Sequence, residues 1–335
     1  MSLDERLARY VEQELAVRLG LGSRLTGVPV ERLAAGKVEH LRRVDVPGFG
    51  RVILRAFYRK AHRRRPAGRA RLTELLTQGG IRVPRVLFVD DSARTRRDCG
   101  FAILAEEFLD GLPPTGLPPE RHAGVLDAAT DILLRLHAIR SRTAGKPWEG
   151  DGWRPADRAR TLLAAWLRPL AALPVGLEPG QAGRLEAWVP PALDALQAPP
   201  YPLVHGDIHP GNLLLGAGGE LCLLDLGAMA FGIPHLDLLL AETALCRGDA
   251  GLRQRMLERY FAANCGFTLR AYEAGRALVA AWHALGKAGV AARRALKKEA
   301  RGQPASALRE KSAHFWSLAR QSLAEAGAPQ VRSGE

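Results

Sequence analysis

The feature that most constrains this chain is a pair of polar loops set between short apolar runs. The first loop, residues 205–212, reads His-Gly-Asp-Ile-His-Pro-Gly-Asn and leads directly into an apolar run at residues 213–215. A second apolar run, residues 221–224, leads into Asp225 and Gly227. That run is short enough to be a buried strand, and Gly227 allows the chain to turn sharply after it. The pattern therefore predicts that Asp225 stands at the end of a buried strand.

The candidate catalytic residue is Asp207, and the candidate metal ligands are Asn212 and Asp225. Phosphoryl transfer from ATP needs a carboxylate near the acceptor hydroxyl, a second carboxylate that holds Mg²⁺ on the phosphates, and an amide oxygen that completes the metal shell. Asn212 follows Asp207 by five residues, which is the spacing of the protein-kinase catalytic loop. One Asp in a Gly/Pro-rich loop is usually a turn former, but two acids and an amide at this spacing are far more specific.

The order His-Gly-Asp-x-His-Pro-Gly-Asn, followed by Asp-x-Gly, resembles the aminoglycoside phosphotransferase and choline kinase superfamily. Leu136-His137 and Asp237 also fall in the order of that family, so the resemblance spans roughly residues 30 to 245. It implies an α+β, bilobal protein-kinase-like fold. A small antiparallel β lobe over residues 1–106 would cover the nucleotide, and a larger, mainly helical lobe over residues 107–335 would carry the catalytic loop and the metal-binding strand.

The resemblance further implies an enzyme that uses ATP as co-substrate and Mg²⁺ as cofactor to phosphorylate a hydroxyl of a small molecule. His205 and Asp237 would fix the loop and the Asp-x-Gly turn by hydrogen bonds. The adenine would bond to the backbone of the hinge, near Glu106 to Leu109, with Glu107 and Leu109 as the candidate residues. His209 would either contact the substrate or shape the loop.

The expected small lobe departs from kinases at the residues that hold the phosphates. Kinases carry a Lys on the third strand and pair it with a Glu on the following helix. Here Arg55 stands in the Lys position and Arg69 falls near the Glu position. Two guanidinium groups a few ångströms apart repel each other unless an anion lies between them, and Arg can grip phosphate oxygens bidentately. Bound phosphates are one source of such an anion.

Several alternatives stay open in this lobe. Lys37 or Lys60 could contact the phosphates in place of Arg55, and Glu74 could serve Arg55 from the helix. A shift of the alignment by a few residues would also account for the two cations. A further alternative is a degenerate kinase that binds a nucleotide or another anion without turnover, although the presence of all three loop residues argues against full degeneracy.

The charge of the chain is strongly positive, with 48 Lys and Arg against 35 Asp and Glu, a net charge of +13. Segment 51–71 holds nine basic residues and no acid, and a second cluster at 293–298 has the spacing of one helix side. These clusters favour either attraction to phosphates, nucleic acid or an anionic surface, or a solvated basic face. The aromatic content of 6% disfavours single-stranded nucleic acid, whose bases stack on rings.

Several classes of acceptor are compatible with the sequence. Aminoglycosides are polycations whose kinases present acidic pockets, so the positive charge disfavours them. Choline kinases need acidic or aromatic cages, to which four tryptophans could contribute: Trp153, Trp166, Trp188 and Trp282. Sugars, amino alcohols and related metabolites stay open.

The hydrophobic periodicity gives the remaining expectations. It predicts an amphipathic N-terminal helix, a three-stranded meander before residue 55, a helix over 67–78, a strand over 83–89 and a strand that leads into the hinge over 101–111. Helices are predicted over 123–139, 158–168, 183–196, 236–245, 251–262 and from residue 272 onward, and Pro169 should end the second of these. No apolar stretch is long enough for a transmembrane helix and the mixed-charge start lacks a signal-peptide pattern, so we expect a cytoplasmic protein. The four cysteines lack metal-binding spacing and are expected to be buried thiols.

Overall fold

The computed structural model describes residues 1–22, 24–35, 39–57, 65–148, 152, 154–174, 177–263 and 266–329. Its residues form two compact units. The first unit is Met1–His122 with Pro210–Gly227, and the second is Ala123–His209 with Ala228–Glu335. The division into lobes at residues 106 and 107 stays a prediction about the domains.

The first unit is built on a five-stranded antiparallel sheet with the strand order β1-β2-β3-β5-β4. The strands are β1 (Val30–Ala35), β2 (Glu39–Val46), β3 (Gly50–Phe57), β4 (Val86–Asp90) and β5 (Ala102–Glu107). The predicted meander is confirmed. Val52 and Leu54 of β3 are buried in one cluster. Successive strand residues point to opposite faces, so Arg55 belongs to the other face, where it is also buried.

Helices flank this sheet within the same unit. They are α1 (Leu3–Tyr10), a π-helical segment (Val11–Leu15), α2 (Ala16–Arg18), α3 (Arg65–Gln78) and α4 (Ala93–Cys99). The predicted amphipathic helix at the N-terminus is confirmed, because Leu7 and Leu15 are fully buried in the same cluster as β3. Ser2 and Glu5 form a reciprocal capping box at its start, which satisfies backbone N–H groups that would otherwise lack partners.

A short three-stranded sheet, also in the first unit, carries the second polar loop of the sequence. It contains β6 (Gly111–Leu112), β9 (Leu213–Gly216) and β10 (Leu221–Leu223), in the order β10-β9-β6. Leu221 to Leu223 are buried, as the apolar run predicted. Only glycine fits at position 111, because a Cβ there would lie 2.6 Å from the carbonyl oxygen of Leu215.

The second unit is mainly helical. Its helices are α5 (His122–Ala138), whose first residue belongs to the first unit, α6 (Pro155–Ala171), α7 (Gln181–Asp194), α8 (His235–Leu245), α9 (Ala250–Ala262), α10 (Leu269–Glu299) and α11 (Ser306–Glu325). A small sheet contains β7 (Arg140–Ser141), β8 (Tyr201–Val204) and β11 (Ala230–Phe231). The core lies between α6, α7, α10 and α11, where Leu163, Leu285 and Trp316 are fully or almost fully buried. The α+β class is therefore confirmed.

The prediction that Pro169 ends its helix is wrong, because α6 continues to Ala171. A proline inside a helix has no N–H to donate to the carbonyl four residues earlier, and here that carbonyl belongs to Ala165. Nη2 of Arg293 donates to the Ala165 oxygen at 2.7 Å. A side chain of α10 thus replaces the missing backbone hydrogen bond of α6.

Two further sequence expectations concern membranes and thiols. None of the helices in the described part of the chain is both long enough and apolar enough to cross a membrane. Cys99, Cys222 and Cys246 are buried free thiols, as expected, and Cys265 lies outside the described residues.

Candidate active site

The candidate catalytic loop follows strand β8 in the second unit. Asp207 is exposed, with 55% of its side chain accessible, and its Oδ2 lies 3.9 Å from Nε2 of His209. The backbone N–H of Asp207 donates to Nδ1 of the fully buried His205 at 3.2 Å. Gly206 has a φ of +76°, and a Cβ at this position would lie 3.2 Å from the carbonyl oxygen of Ala228. This loop geometry favours glycine at position 206.

Asp237 holds the backbone of this loop in place. Its Oδ2 accepts the N–H of His205 at 2.6 Å, and its Oδ1 accepts the N–H of Gly206 at 2.7 Å. Nε2 of His137 lies 3.3 Å from Oδ2, and Nδ1 of His137 lies 2.5 Å from the hydroxyl of Tyr260.

The electrostatics of Asp237 favour the ionised form. Complete burial by itself would raise its pKa, but the hydrogen bond and charge of His137, the charge of His205 and the N–H of Gly206 outweigh burial, and the pKa is lowered. A buried carboxylate that remains charged is a strong acceptor for two adjacent N–H groups. The loop that presents Asp207 is therefore rigidly anchored from α8.

A lysine that the sequence patterns did not single out supports the chain on the other side of Gly206. Nζ of Lys146 donates to the carbonyl oxygens of Ala228 and Met229, at 2.7 and 2.9 Å. Ala228 is the residue against which Gly206 packs. No spacing or motif could have identified Lys146, because its partners are backbone groups 82 and 83 residues away.

The candidate metal ligands, Asn212 and Asp225, lie at the same end of the β9–β10 hairpin in the first unit. Leu213 pairs with Leu223, and the N–H of Leu224 donates to the carbonyl oxygen of Asn212 at 2.8 Å. Asp225 has a φ of +48°, which is uncommon for a residue other than glycine, although Asp tolerates it. The N–H of Gly227 donates to Oδ1 of Asp225 at 3.3 Å.

The chemistry of these two side chains fits Mg²⁺. Magnesium takes oxygen ligands and is commonly bound by one or two carboxylates together with waters and substrate phosphates. Asp225 offers an exposed carboxylate, and Asn212 offers an amide oxygen on the neighbouring strand end. Among the described residues, no three His, Cys, Asp or Glu side chains form a metal cage, so a cation here would take its other ligands from phosphate and water.

Arg55 and Arg69 share one buried carboxylate. Nε of Arg55 donates to Oε2 of Glu106 at 2.6 Å, and Nε of Arg69 donates to Oε1 at 2.7 Å. All three side chains are more than nine-tenths buried. Burial alone would raise the pKa of Glu106, but the charges and hydrogen bonds of Arg69 and Arg55 lower it. We call these three residues the buried Arg–Glu–Arg cluster.

Two adjacent guanidinium groups require an anion between them, and Glu106 is that anion. Neither Glu74 nor a bound phosphate is needed for this role. Glu106 was instead assigned to the hinge that follows β5. It occupies the last buried position of that strand, opposite Ile53 of β3, and a hinge residue would be expected nearer the surface.

The other candidate nucleotide-binding residues have the following positions. The carboxylate of Glu107 accepts the backbone N–H of Arg85 at 2.9 Å and pairs with Nη1 of Arg82 at 2.9 Å. Leu109 is half-buried in the segment between β5 and β6. Lys37 and Lys60 lie outside the described residues. The assignment of these residues to nucleotide binding stays a prediction.

The basic segment 51–71 is only partly described, because residues 58–64 fall outside the described ranges. Within the described part, Arg51 pairs with Asp110 and lies over the Phe108 ring, 4.4 Å from its centre. Arg55 and Arg69 are neutralised in the buried cluster. A nucleic-acid or anionic-surface role for this segment stays a prediction.

A cavity of about 640 Å³ lies beside Asp207 in the second unit. Its wall includes Ile208 and His209 of the loop and residues of α8, α10 and α11. A cavity of this volume is in the range of small-molecule sites. Asp207 thus presents its carboxylate to a space that could hold a metabolite.

Comparison with known proteins places this arrangement in a wider context. Residues 30–278 match the model of the phosphotransferase enzyme family. No curated protein sequence matches the chain.

Three solved structures illustrate the similarity of fold. A choline/ethanolamine kinase family protein from Mesorhizobium loti has a TM-score of 0.64 at 18% identity, with 98% of this chain and 97% of that chain covered. The macrolide 2'-phosphotransferase MphH from Brachybacterium faecium has a TM-score of 0.59 at 22% identity, with 90% and 96% covered. The choline kinase LicA from Streptococcus pneumoniae has a TM-score of 0.61 at 14% identity, with 95% and 99% covered. The predicted kinase-like fold and superfamily resemblance are confirmed.

Proposed function

The chain belongs to the phosphotransferase enzyme family, and from this premise we propose that it is an ATP- and Mg²⁺-dependent kinase for a hydroxyl group of a small molecule. The observation that carries the proposal is the anchored loop, in which Asp237 fixes the backbone of His205 and Gly206 while Asp207 remains exposed beside a cavity. A solved structure of LicA in complex with AMP supports the use of an adenine nucleotide.

In this proposal Asp207 orients the acceptor hydroxyl and takes its proton. The hydroxyl oxygen forms a bond to the γ phosphorus as the bond from that phosphorus to the β,γ-bridging oxygen breaks, and ADP leaves. Asn212 and Asp225 would hold Mg²⁺, which offsets negative charge on the phosphates. Arg55 and the backbone near Glu107 and Leu109 would contact the nucleotide.

The nucleotide part of the proposal is tested by thermal stability. The protein is titrated with ATP, ADP and GTP, each with and without Mg²⁺, beside the variant Asp225→Asn. Asn removes the charge yet tolerates the left-handed backbone of this position, so the fold is preserved. We expect a Mg²⁺-dependent stabilisation by ATP in the wild type, because a ligand that binds only the folded state raises its stability. This stabilisation should be lost in the variant.

An equal Mg²⁺-dependent shift in Asp225→Asn would contradict its role as metal ligand. The absence of a shift with any nucleotide would favour the alternative of a catalytically silent scaffold. Asp207→Asn serves as the matched variant for chemistry: it should keep the nucleotide shift and lose about 10²- to 10⁴-fold in turnover, the contribution typical of a general base. Substantial turnover in that variant would exclude Asp207 as the base.

A further inference from the structure

A second cavity, of about 420 Å³, adjoins the first within the second unit. The two cavities share three wall residues, which are His283, Lys287 and Phe315. Residues 283, 287, 290 and 294 recur along one side of α10, and residues 308, 311 and 315 along one side of α11. Helical periodicity therefore brings these side chains to a common space, and we call it the cationic cavity.

Three cations line the cationic cavity without a carboxylate partner among the described residues: Lys287, Arg294 and Lys311. Within the described part of the chain, the wall of this cavity contains no Asp or Glu. The ammonium groups of Lys287 and Lys311 lie 5.3 and 5.9 Å from the centre of the same ring, that of Phe315. Two like charges at one ring favour the entry of an anion between them.

The acids of the larger cavity beside Asp207 are too few to reverse the preference of the cationic cavity for an anion. Arg276 belongs to its wall, but Glu242 already neutralises that guanidinium through a hydrogen bond of 3.0 Å from Nε. The acids of the wall are Asp207 and Glu325, and Glu325 accepts a hydrogen bond from Gln321 at 3.1 Å. The unpaired positive charge is therefore concentrated in the cationic cavity.

The rest of the described wall consists of aromatic, aliphatic and glycine residues together with His283. The rings of Trp166 and Trp282 lie 4.5 Å apart between their centres, tilted by 52°. Burial first, and Lys287 second, lower the pKa of His283 to about 4, so this imidazole is neutral near pH 7 and can donate or accept a hydrogen bond. Such a surface suits a planar or partly apolar ligand body.

We infer that the acceptor carries an anionic group, a carboxylate or a phosphate, on a planar or partly apolar body, and that Lys287, Arg294 and Lys311 bind this group in the cationic cavity. The inference rests on the proposed function, because Asp207 borders the adjoining cavity and would receive the hydroxyl there. A polycationic acceptor would meet three unpaired cations and be repelled.

The test measures binding directly by calorimetry, with hydroxyl compounds that differ in charge. One series is glucuronate, glucose and glucosamine, and another is mandelate, mandelamide and phenylglycinol. A glucose phosphate separates phosphate from carboxylate recognition. We expect the anion of each series to bind most tightly, and its affinity should fall as salt is raised. Equal or tighter binding of the neutral or cationic members would overturn the inference.

Variants locate the binding site on the molecule. The double variant Lys287→Gln/Lys311→Gln should weaken binding of the anion about tenfold or more, which is the size of one favourable charge contact. Lys297→Gln is the matched control, because Lys297 is exposed on the same helix but is not part of either wall. Equal binding by the double variant and the wild type, or equal losses in both variants, would overturn the assignment to this cavity.

The same preparations separate this inference from the proposed function. A Mg²⁺-dependent nucleotide shift without preference for anions would overturn the inference and leave the kinase proposal standing. Anion binding that the double variant abolishes, in a protein without any nucleotide shift, would support the cationic cavity as a ligand site and overturn the kinase proposal.

Discussion

Two regions of this molecule place their positively charged side chains in different surroundings. In the buried Arg–Glu–Arg cluster of the first unit, two guanidinium groups lie on one carboxylate and all three side chains are withdrawn from water. In the cationic cavity of the second unit, three exposed cations lie near aromatic rings, and the described wall residues include no Asp or Glu. Both regions draw on the same excess of Lys and Arg in the sequence.

The availability of a charge for ligand binding depends on its local partner. A buried cation must be paired, because removal from water costs several kcal/mol per ion in proteins. A cation at an exposed rim has no such need, and surface ion pairs contribute only about 0–1 kcal/mol. Arg55 and Arg69 therefore stabilise the fold through their pairing with Glu106, whereas the cations beside the cavity are open to a ligand.

The largest loss of folding stability is expected for Glu106→Gln. This substitution leaves Arg55 and Arg69 buried without a counter-charge, so the free energy of unfolding should fall by about 3–5 kcal/mol. Urea denaturation provides the measurement. Glu107→Gln is the control on the next residue, and it should cost less than about 1 kcal/mol because its partner Arg82 is 45% exposed.

Similar losses in both variants would break the distinction between the two regions. If Glu106→Gln does not fold, the triple variant Arg55→Met/Glu106→Met/Arg69→Met still tests the idea. Replacing a complete buried ion cluster with apolar side chains is often neutral or stabilising, so the triple variant should recover most of the loss.

A smaller effect is expected for Glu242→Gln in the second unit. Glu242 accepts hydrogen bonds from Tyr272 at 2.9 Å and from Arg276 at 3.0 Å, and it pairs with Arg253 at 3.1 Å. The two arginines are 37% and 34% exposed, so water compensates part of the lost pairing. We expect a loss of about 1–3 kcal/mol, measured by thermal unfolding. A loss of stability equal to that of Glu106→Gln would show that the burial of the paired arginines does not determine the size of the loss.

Lowering the pH should reduce the folding stability of the protein, because these same carboxylates become protonated. Glu106 and Glu242 both have pKa values lowered below the ordinary 4.5: burial alone would raise them, but their arginine and tyrosine partners outweigh it. Their contribution to stability is therefore complete above about pH 4.5 and is lost as the pH falls through the folded-state pKa. The urea midpoint of the wild type should fall with acidification in this window. The urea midpoint of Glu106→Gln should fall less steeply with acidification. If the midpoints of the variant and the wild type fall in parallel, Glu106 does not contribute to the pH dependence.

The smallest change in folding stability is expected for substitutions in the cationic cavity. Lys287→Gln/Lys311→Gln removes two exposed charges that stabilise no described carboxylate, so the free energy of unfolding should stay within about 0.5 kcal/mol of wild type. Thermal unfolding in the absence of ligand is the measurement. A loss above about 1 kcal/mol would mean that these lysines serve the fold, and the contrast between the two regions would disappear.

The sequence predicted the polar loops better than it predicted the environment of the arginines. Asp207, Asn212 and Asp225 belong to one short stretch with a recognisable spacing. Physical reasoning also required an anion between Arg55 and Arg69, but it could not identify Glu106. That contact depends on the antiparallel register of β3 with β5, in which Ile53 lies opposite Glu106, and no local pattern specifies this register.

The basic cluster at 293–298 shows a second limit. Its spacing predicted a common basic side of one helix, yet Arg293 reaches the Ala165 carbonyl oxygen while Arg294 lines the cationic cavity. Adjacent helical residues differ in direction by about 100°, so the role of each depends on which helix packs nearby. That information is tertiary, and so was the reason why Pro169 failed to end α6.

The hydrogen bond from Arg293 to Ala165 has a consequence for how this sequence can change. With Pro169 present, Arg293 supplies a donor that the backbone of α6 lacks. With Ala at position 169, the backbone would supply its own donor and the guanidinium would become redundant there. The two positions should therefore be epistatic: the penalty for Arg293→Ala depends on whether residue 169 is a proline, and the order in which the two substitutions arise decides which of them is tolerated.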